Sequence, residues 1–530
     1  MPSAPSYPVD QRPCIPVLLN QRHHTLGMRE VLLEAHRIED LALPHPPAFS
    51  GLLRMLTAIT ADLTGLDDPD LSLEEWHEKR TTLLTSGHGL DATDVHDYFD
   101  RYVWDLYDQH RPLLQDPRLA EQCTKTSGIN RLVFGRPSGN NLAWLSVHTD
   151  TVPRPLPSDE AFWHLLIQHY YGDAGRCTTR SAGPHTSGQA TAGPLRSTLS
   201  FHPRGATLLE TLLLHQFPYT GSPLHHPDAC PWEEPDPPDP VNPPPPVTWP
   251  KRLLTGRSRH AVLLVSNQDG SAATDCYLTW ATQHPAHPAT DPYLIIDTRT
   301  RDQAKDRDQP RRADADRGEW WRDIDALLLS GDETATQRRP TVFGTLNDLP
   351  QTVRARLRVR VCGFDQDGRC TSRIWYTALT PPIWNRAEEH DPHAARRIAA
   401  CRQAAEHLAA LLRTQANTAW NQTRTPTADG APPAARRRQP TSRWAREALA
   451  LYWPRAEKTF WTLVNENPDT QRDPYPVFAY AAVDVLRQVT LPDLARHRTA
   501  GPALARAVRA LRAAAAPDSR RTKAARRAQP

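Results

Sequence analysis

From residue 231 to residue 250 the chain reads PWEEPDPPDPVNPPPPVTWP, a run so dominated by proline and acid that it cannot pack as a helix. Proline fixes φ near −65° and carries no backbone N–H, so each one removes a ladder or helix hydrogen bond. The segment is expected to run as a stiff extended spacer across a surface, with no role as a site. Proline recurs elsewhere too: 52 in 530 residues argue against an all-helical fold and for long irregular connections. A chain of 530 residues also outgrows one ordinary hydrophobic core, so two or more domains are expected.

Periodicity sketches those domains. Apolar residues at Met28, Val31, Leu32, Ala35, Ile38 and Leu41 fall on one helical face, which predicts an amphipathic helix over 28–41. Further helices are expected over 47–63 and 161–171. Residues 172–205 turn rich in Gly, Thr, Ser and Arg, with LRSTLSF reading as a short strand before a helix at LLETLLL. Beyond the spacer, strand candidates at 260–265, 277–280, 293–296 and 354–361 make the middle of the chain mixed and irregular. Near residue 391 the period becomes helical, with Ile398, Cys401, Ala405, Leu408, Leu411 and Leu412 on one face and similar faces over 444–453, 458–464 and 477–489. Residues 423–439 have the composition of a disordered connection. The fold class is therefore α+β: a mixed N-terminal domain over 1–385, a helical bundle over 386–515 and a basic tail over 516–530. For the Ala- and Arg-rich stretch 506–530 a nucleic-acid contact is one reading and a frayed, solvated end the plainer one.

Charge and motif content narrow the function. The net charge is only +3, less than a stand-alone nonspecific DNA binder usually carries, so any DNA contact should be local or shared with partners. Of 63 basic residues only six are lysines; arginine suits bidentate contacts to phosphate and guanine, while GC-rich coding bias explains the same preference together with the abundant Ala and Pro. Eight cysteines without a CxxC pair suggest neither a zinc ribbon nor a disulfide framework and fit reduced thiols in cytoplasm. There is no signal-peptide pattern and no bilayer-length apolar run. His225 and His226 are adjacent, and His284 and His287 flank prolines, none at hydrolytic zinc spacing. His390-Asp391 forms an HD dipeptide, the seed of a metal-dependent nuclease reading, against which stands a plain helix start. With no GxSxG elbow, P-loop or GxGxxG, no enzyme, metal or cofactor is expected.

One segment stands apart. Residues 127–150, SGINRLVFGRPSGNNLAWLSVHTD, combine glycines, amides, arginines and an aromatic. Amides and arginines reach base edges or phosphates, Gly135 and Gly139 allow close backbone approach, and Trp144 offers a stacking or wedging face. The plain alternative is a solvated connection over a core tryptophan. Together with PCIPVLL at 13–19, LGMREVLLEAHRIEDLAL at 26–43, GPLRSTLSFHPRGATLLETLLLHQFP at 193–218, EWWRDIDALLL at 319–329 and VCGFDQDG at 361–368, this segment resembles the CasA family in collinear order over most of the chain. CasA is the large subunit of the type I-E CRISPR complex Cascade. The family usually has a tryptophan where this chain has Cys14.

The resemblance implies a mixed N-terminal domain with a C-terminal four-helix bundle, and a non-catalytic subunit that inspects the PAM, the short motif beside the target, through the minor groove. It implies guide RNA, target double-stranded DNA, the small-subunit dimer, CasC, CasD, CasE and a helicase-nuclease as partners, in cytoplasm. Carried over by position, the N-terminal loop falls on 138–146 with Asn140, Asn141 and Trp144, and the glycine loop on Gly172, Asp173, Ala174, Gly175 and Arg176. Asp173 would repel phosphate unless Arg176 or Arg180 offsets it, so its carboxylate must turn away. The glutamine wedge falls on Gln366 in GFDQDG, which is equally an ordinary hairpin tip. The lysine finger has no counterpart between Lys251 and Lys305, so that role is lost, moved to Lys251, or taken by an arginine such as Arg257 or Arg259. Lys125, Arg131, Arg136, Arg180, Lys251 and Arg259 are candidate phosphate or guide-RNA contacts. A scaffold subunit whose recognition loops have decayed is the competing reading.

Overall fold

The computed structural model describes residues 4–138, 146–219, 226–287, 289–297, 309–314, 320–329, 337–366, 372–424 and 441–514. The chain divides into one compact unit of Met1–Asp316 with Gly331–Asn385, and another of Arg317–Ser330 with Arg386–Pro530. Both helices and strands are present, and no described helix is long and apolar enough to cross a membrane.

The first unit is organised around the helix Pro46–Thr64, buried without interruption from Pro46 to Ala61. Prolines in its first turn cost no hydrogen bond, and Gly65 ends it in the left-handed conformation at φ 60°. Against it pack the helices Ser158–Tyr171, Leu208–Leu214 and Lys251–Thr255 and the strand Arg358–Gln366. That strand is central in an antiparallel sheet, between Leu199–Arg204 and Ser372–Leu379, with Val361 opposite both Phe201 and Ala378. A second sheet sets Ala272–Trp280 between His260–Ser266 and Leu156–Pro157. A third sets Ile15–Leu19 between Arg22–Leu26 and Ile38–Leu41, and Gly175–Ala182 pairs with His185–Ala190 as a hairpin.

Three expectations change. The helix foreseen over 28–41 stops at Leu33, because Ile38–Leu41 is drawn into the ladder of Ile15–Leu19. Ile38 and Leu41 are buried either way, so the apolar spacing alone could not separate the two outcomes. The strand foreseen over 293–296 shrinks to Ile296–Asp297, and that over 354–361 begins as a helical turn, Gln351–Arg354, before the strand Arg358–Gln366. The proline-rich segment is extended as expected, but it is an anchored strap. Trp232 and Cys230 are buried, Trp232 Nε1 donates to Tyr98 Oη at 2.9 Å, and that hydroxyl donates to Glu233 at 2.8 Å. Its carbonyls take donors from outside: Arg111 to Pro231, Arg118 to Pro238, His284 to Val241 and His287 to Pro244, all at 2.7–2.9 Å. A run of prolines has few N–H groups to satisfy its own carbonyls, so side chains supply them.

This unit also holds neutral histidines in its interior. Burial pulls His164 and His215 down to about 3 and His169 and His260 to about 4, and His202 well below the ordinary value of 6.5. Below pH 6.5 the unfolded chain takes up protons that the folded chain refuses until about pH 4. Stability is therefore complete above that window and lost as pH falls through it, by up to about 1.4 kcal/mol per pH unit for each histidine. Thermal unfolding followed at successive pH values should show the midpoint dropping steeply below pH 6; a flat profile would mean these histidines are not held neutral.

In the second unit the helices Pro392–Arg424, Arg443–Val464, Pro474–Leu494 and Ala500–Ala513 pack on one another. Buried alanines, among them Ala404, Ala405, Ala448, Ala456 and Ala482, let backbones approach, and Trp444 and Tyr452 fill the remaining space. The faces foreseen separately over 444–453 and 458–464 are one helix that runs through Pro454. From the 317–330 segment, Trp321 stacks on Phe460 at 4.6 Å and Arg322 binds Glu406 at 2.5 Å. The stretch 317–330 thus belongs with the helices and not with the mixed domain placed over 1–385. The connection 425–440 and the tail from residue 515 lie outside the described residues.

Candidate nucleic-acid interface

Within the first unit, three segments far apart in sequence converge on a cleft of about 190 Å³ lined by Arg131, Arg136, Gln168, Asp173, His260 and Ser372, among others. Its first wall is the base of the contact loop. Gly128 takes φ 83° to open the helical turn Ile129–Leu132, whose end is fixed by Gln168 Nε2 donating to the Leu132 carbonyl at 2.8 Å. Asn130 Nδ2 donates to the Thr149 carbonyl at 3.1 Å and to Asp150 Oδ1 at 3.0 Å, which clamps the two flanks of the loop together. Arg136 donates to the Arg154 carbonyl at 3.0 Å, and Phe134 meets Phe364 edge-on at 5.3 Å. The clamped loop itself, 139–145 with Asn140, Asn141 and Trp144, lies outside the described residues.

The second wall is the turn after the helix Ser158–Tyr171. Gly172 caps it, and its carbonyl accepts from Gly193 N–H at 3.0 Å. Asp173 turns its carboxylate inward, as a phosphate-facing loop requires, but the partners are not Arg176 or Arg180. Arg196 binds it at 2.5 Å and Arg131 stands 3.8 Å away, while its carbonyl accepts the Nε2–H of His260 at 2.9 Å. Ala174 and Gly175 are half-buried and Arg176 is exposed. Gly175 has φ 114°, and a Cβ built there would meet no atom within 4 Å. Glycine is needed for the conformation and not for space, so Gly175→Ala should cost about 1–2 kcal/mol. Chemical denaturation measures that cost; an unchanged midpoint would show that the turn relaxes freely.

The third wall is the hairpin of Arg358–Gln366 and Ser372–Leu379, whose tip, 367–371, lies outside the described residues. Gln366 is not at the tip. It is only 3% exposed, its Nε2 donates to the Tyr171 carbonyl at 3.1 Å and to Ser372 Oγ at 3.2 Å, and its Oε1 accepts from Ser197 N–H at 3.3 Å. Ser197, a non-glycine residue at φ 62°, also donates its hydroxyl to the Gln366 carbonyl. In this geometry Gln366 ties the hairpin root to the 193–198 segment and the end of the helix Ser158–Tyr171, so a wedging role would require it to leave these partners.

Other expected contacts are held by partners inside the fold. Arg180 faces inward from Gly175–Ala182 and binds Asp116 at 2.7 Å, Gln122 at 2.7 Å and the Trp280 carbonyl at 3.0 Å. Lys251 meets Asp62 at 2.6 Å, Glu233 at 3.4 Å and Asp67 at 3.5 Å. Arg259 is 7% exposed and donates to Thr191 Oγ1 at 3.1 Å and to the His284 carbonyl. Arg257 stands 3.8 Å from Asp291. None of these is poised to act as a phosphate finger, because each buried cation is held by carboxylates or carbonyls. Lys125 is exposed and Arg131 and Arg136 are part-exposed. Sequence reading missed Asn130, Arg196 and His260, whose roles depend on partners from distant segments. Asp391 caps the helix Pro392–Arg424 by accepting Ala394 N–H at 2.9 Å, and among the described residues no His, Cys, Asp or Glu cluster could hold a metal. His225 lies outside those residues.

Comparison with known proteins matches residues 11–490 to the model of the family described as CRISPR-associated protein Cse1. A CasA/Cse1 protein of Thermus thermophilus is 28% identical over 238 residues, which is 44% of this chain and 43% of that protein, so the chain aligns with less than half of that relative's length. A chain of a solved CRISPR RNA-guided surveillance complex is 36% identical, covering 96% of this chain and 99% of that one, with a TM-score of 0.82. Thermobifida fusca Cse1, 18% identical with a TM-score of 0.72 over 97% of this chain and 99% of its own, shares the fold.

Proposed function

Because the chain belongs to the CRISPR-associated protein Cse1 family, we propose that it is the non-catalytic large subunit of a type I-E CRISPR surveillance complex and reads the PAM of target double-stranded DNA. The observation that carries this reading is the single cleft shared by the clamped base of the contact loop, Asp173 of the turn after the helix Ser158–Tyr171, and Ser372 at the root of the hairpin. It sets Arg131 and Arg136 beside the turn that holds the half-buried Gly175 and the exposed Arg176, with the nearby carboxylate of Asp173 neutralised by Arg196. Such a surface offers positive charge and close backbone approach without an uncompensated anion, as minor-groove contact demands. Minor-groove readout distinguishes chiefly A·T from G·C, so a relaxed PAM preference follows. The four packed helices of the second unit are the four-helix bundle of this reading. The partners are the guide RNA, the small-subunit dimer, CasC, CasD and CasE, and a helicase-nuclease recruited once the duplex opens.

The test is binding of duplexes with matched protospacers and varied PAMs to the guide-RNA complex assembled with and without this chain. PAM-dependent binding only when the chain is present is expected, with Trp144→Ala weakening it at least tenfold. Equal binding in both assemblies would leave the scaffold reading, which the burial of Gln366, Arg180 and Lys251 favours.

A further inference from the structure

The second unit carries a surface unlike the rest of the chain. Elsewhere arginines are largely spoken for: Arg54, Arg180, Arg196, Arg322 and Arg402 all sit in ion pairs. From Leu494 to Ala514 there is no Asp or Glu, while Arg496, Arg498, Arg506, Arg509 and Arg512 all fall there. All five are exposed. Arg496 stands at 3.9 Å from Asp493 and Arg506 donates to Gln422 at 2.7 Å, but Arg509 and Arg512 enter no ion pair among the described residues.

These last two share a cleft of about 460 Å³ with Arg487 of the preceding helix, floored by Gly501, Leu504 and Val508. Among the described residues no carboxylate lines it. The acids within reach on the helix Pro474–Leu494 are engaged elsewhere: Asp484 binds Arg455, and the buried Asp493 accepts Trp444 Nε1–H at 2.8 Å. Three guanidiniums from two helices thus face one opening with no anion among the described residues that line it. Like charges held together repel, and the arrangement loses that cost when a polyanion supplies the missing charge.

We propose that this cleft on the helices Pro474–Leu494 and Ala500–Ala513 is a second, sequence-independent nucleic-acid site, which grips phosphates through Arg487, Arg509 and Arg512. Arg509 and Arg512 are three residues apart, about 4.5 Å along the helix, so they address neighbouring phosphates of one strand. The apolar floor formed by Leu504 and Val508 gives a ribose or base a surface to rest on and adds no sequence readout. The site is separate from the cleft in the first unit and does not depend on PAM reading.

Fluorescence anisotropy of the full chain alone, titrated with labelled single-stranded DNA, RNA of the same length and duplex DNA over a salt series, tests it. Binding with a linear dependence of log K on log salt is expected. The variant Arg487→Gln/Arg509→Gln/Arg512→Gln should flatten that slope by about 2 for single strands, where each lost phosphate contact removes about 0.7. The ranking of the three probes identifies the strand the site holds. A triple variant with unchanged helical circular dichroism and an unchanged slope would overturn the proposal. So would loss of all binding on truncation after Ala514, which would assign the contact to the basic residues beyond it.

Discussion

Replacing Asp291 with alanine is expected to cost the first unit about 3–5 kcal/mol, the largest effect of any single change outside the cleft. Asp291 and Arg54 are 3% and 0% exposed and pair at 2.9 Å, 237 residues apart in sequence. Burial disfavours the charge on Arg54, but the facing carboxylate more than offsets it and raises the guanidinium above its ordinary value, so it stays charged. Its other neighbours are the Ser50 carbonyl at 3.1 Å and the rings of Tyr293 and Tyr170 at 4.8 and 5.7 Å. They solvate the cation but carry no charge to balance it. Removing the carboxylate also orphans Tyr293 N–H, which donates to Asp291 at 3.1 Å, and leaves Arg257 unopposed at its edge. Hydrogen exchange along Pro46–Thr64 and denaturant titration measure the loss. The double change Arg54→Met/Asp291→Ala should recover most of it, because an apolar side chain of similar length leaves no buried charge. A loss below about 1 kcal/mol in Asp291→Ala would show that water reaches Arg54.

Where local pattern decides the outcome, the sequence was a sufficient guide. The helix Pro46–Thr64 announces itself by a continuous apolar stripe, prolines in the first turn and Gly65 after the last. The helices beyond residue 391 do so by their 3.6-residue period. The failures are all matters of partnership. Arg180 looked like a phosphate contact because nothing local says that Asp116, 64 residues earlier, waits for it inside the fold. Lys251 looked like a displaced finger because Asp62, Asp67 and Glu233 converge on it only after folding. Residues 28–41 fit a helix until Ile15–Leu19 offered Ile38–Leu41 a ladder. The family resemblance located the cleft's three segments, but not which of their side chains face out. Asp173 is the instructive case: the need to neutralise it follows from phosphate chemistry, whereas the identity of Arg196 follows only from the path of the chain between Gly172 and Gly193.

Gln366→Ala should weaken both stability and target recognition, and the balance of the two losses decides what Gln366 is. As the structure stands, its amide closes a junction by bonding Tyr171 C=O, Ser197 N–H and Ser372 Oγ, the first two of them buried. Truncation takes one donor from the Tyr171 carbonyl, which keeps Arg196 Nη1 at 3.2 Å, and removes the side-chain acceptor of Ser197 N–H, at about 1–3 kcal/mol in all. It also releases Ser197 from its left-handed backbone at φ 62°, a conformation that persists only while its surroundings enforce it. Since Arg196 holds Asp173 from the adjoining position, loosening Ser197 disturbs the turn at Gly175 without touching it. A strut therefore predicts a lowered unfolding midpoint and a matching drop in duplex binding for every PAM. Gln366→Glu should be harmful as well, since its carboxylate has no N–H to offer the Tyr171 carbonyl. A side chain that leaves this junction to wedge into DNA predicts the opposite pattern: Gln366→Ala of near-native stability, normal initial binding and failed opening of the duplex. Denaturation of the free chain, together with permanganate footprinting of the target on the assembled complex, separates the two. The three hydrogen bonds of the Gln366 side chain place the expected result with the strut.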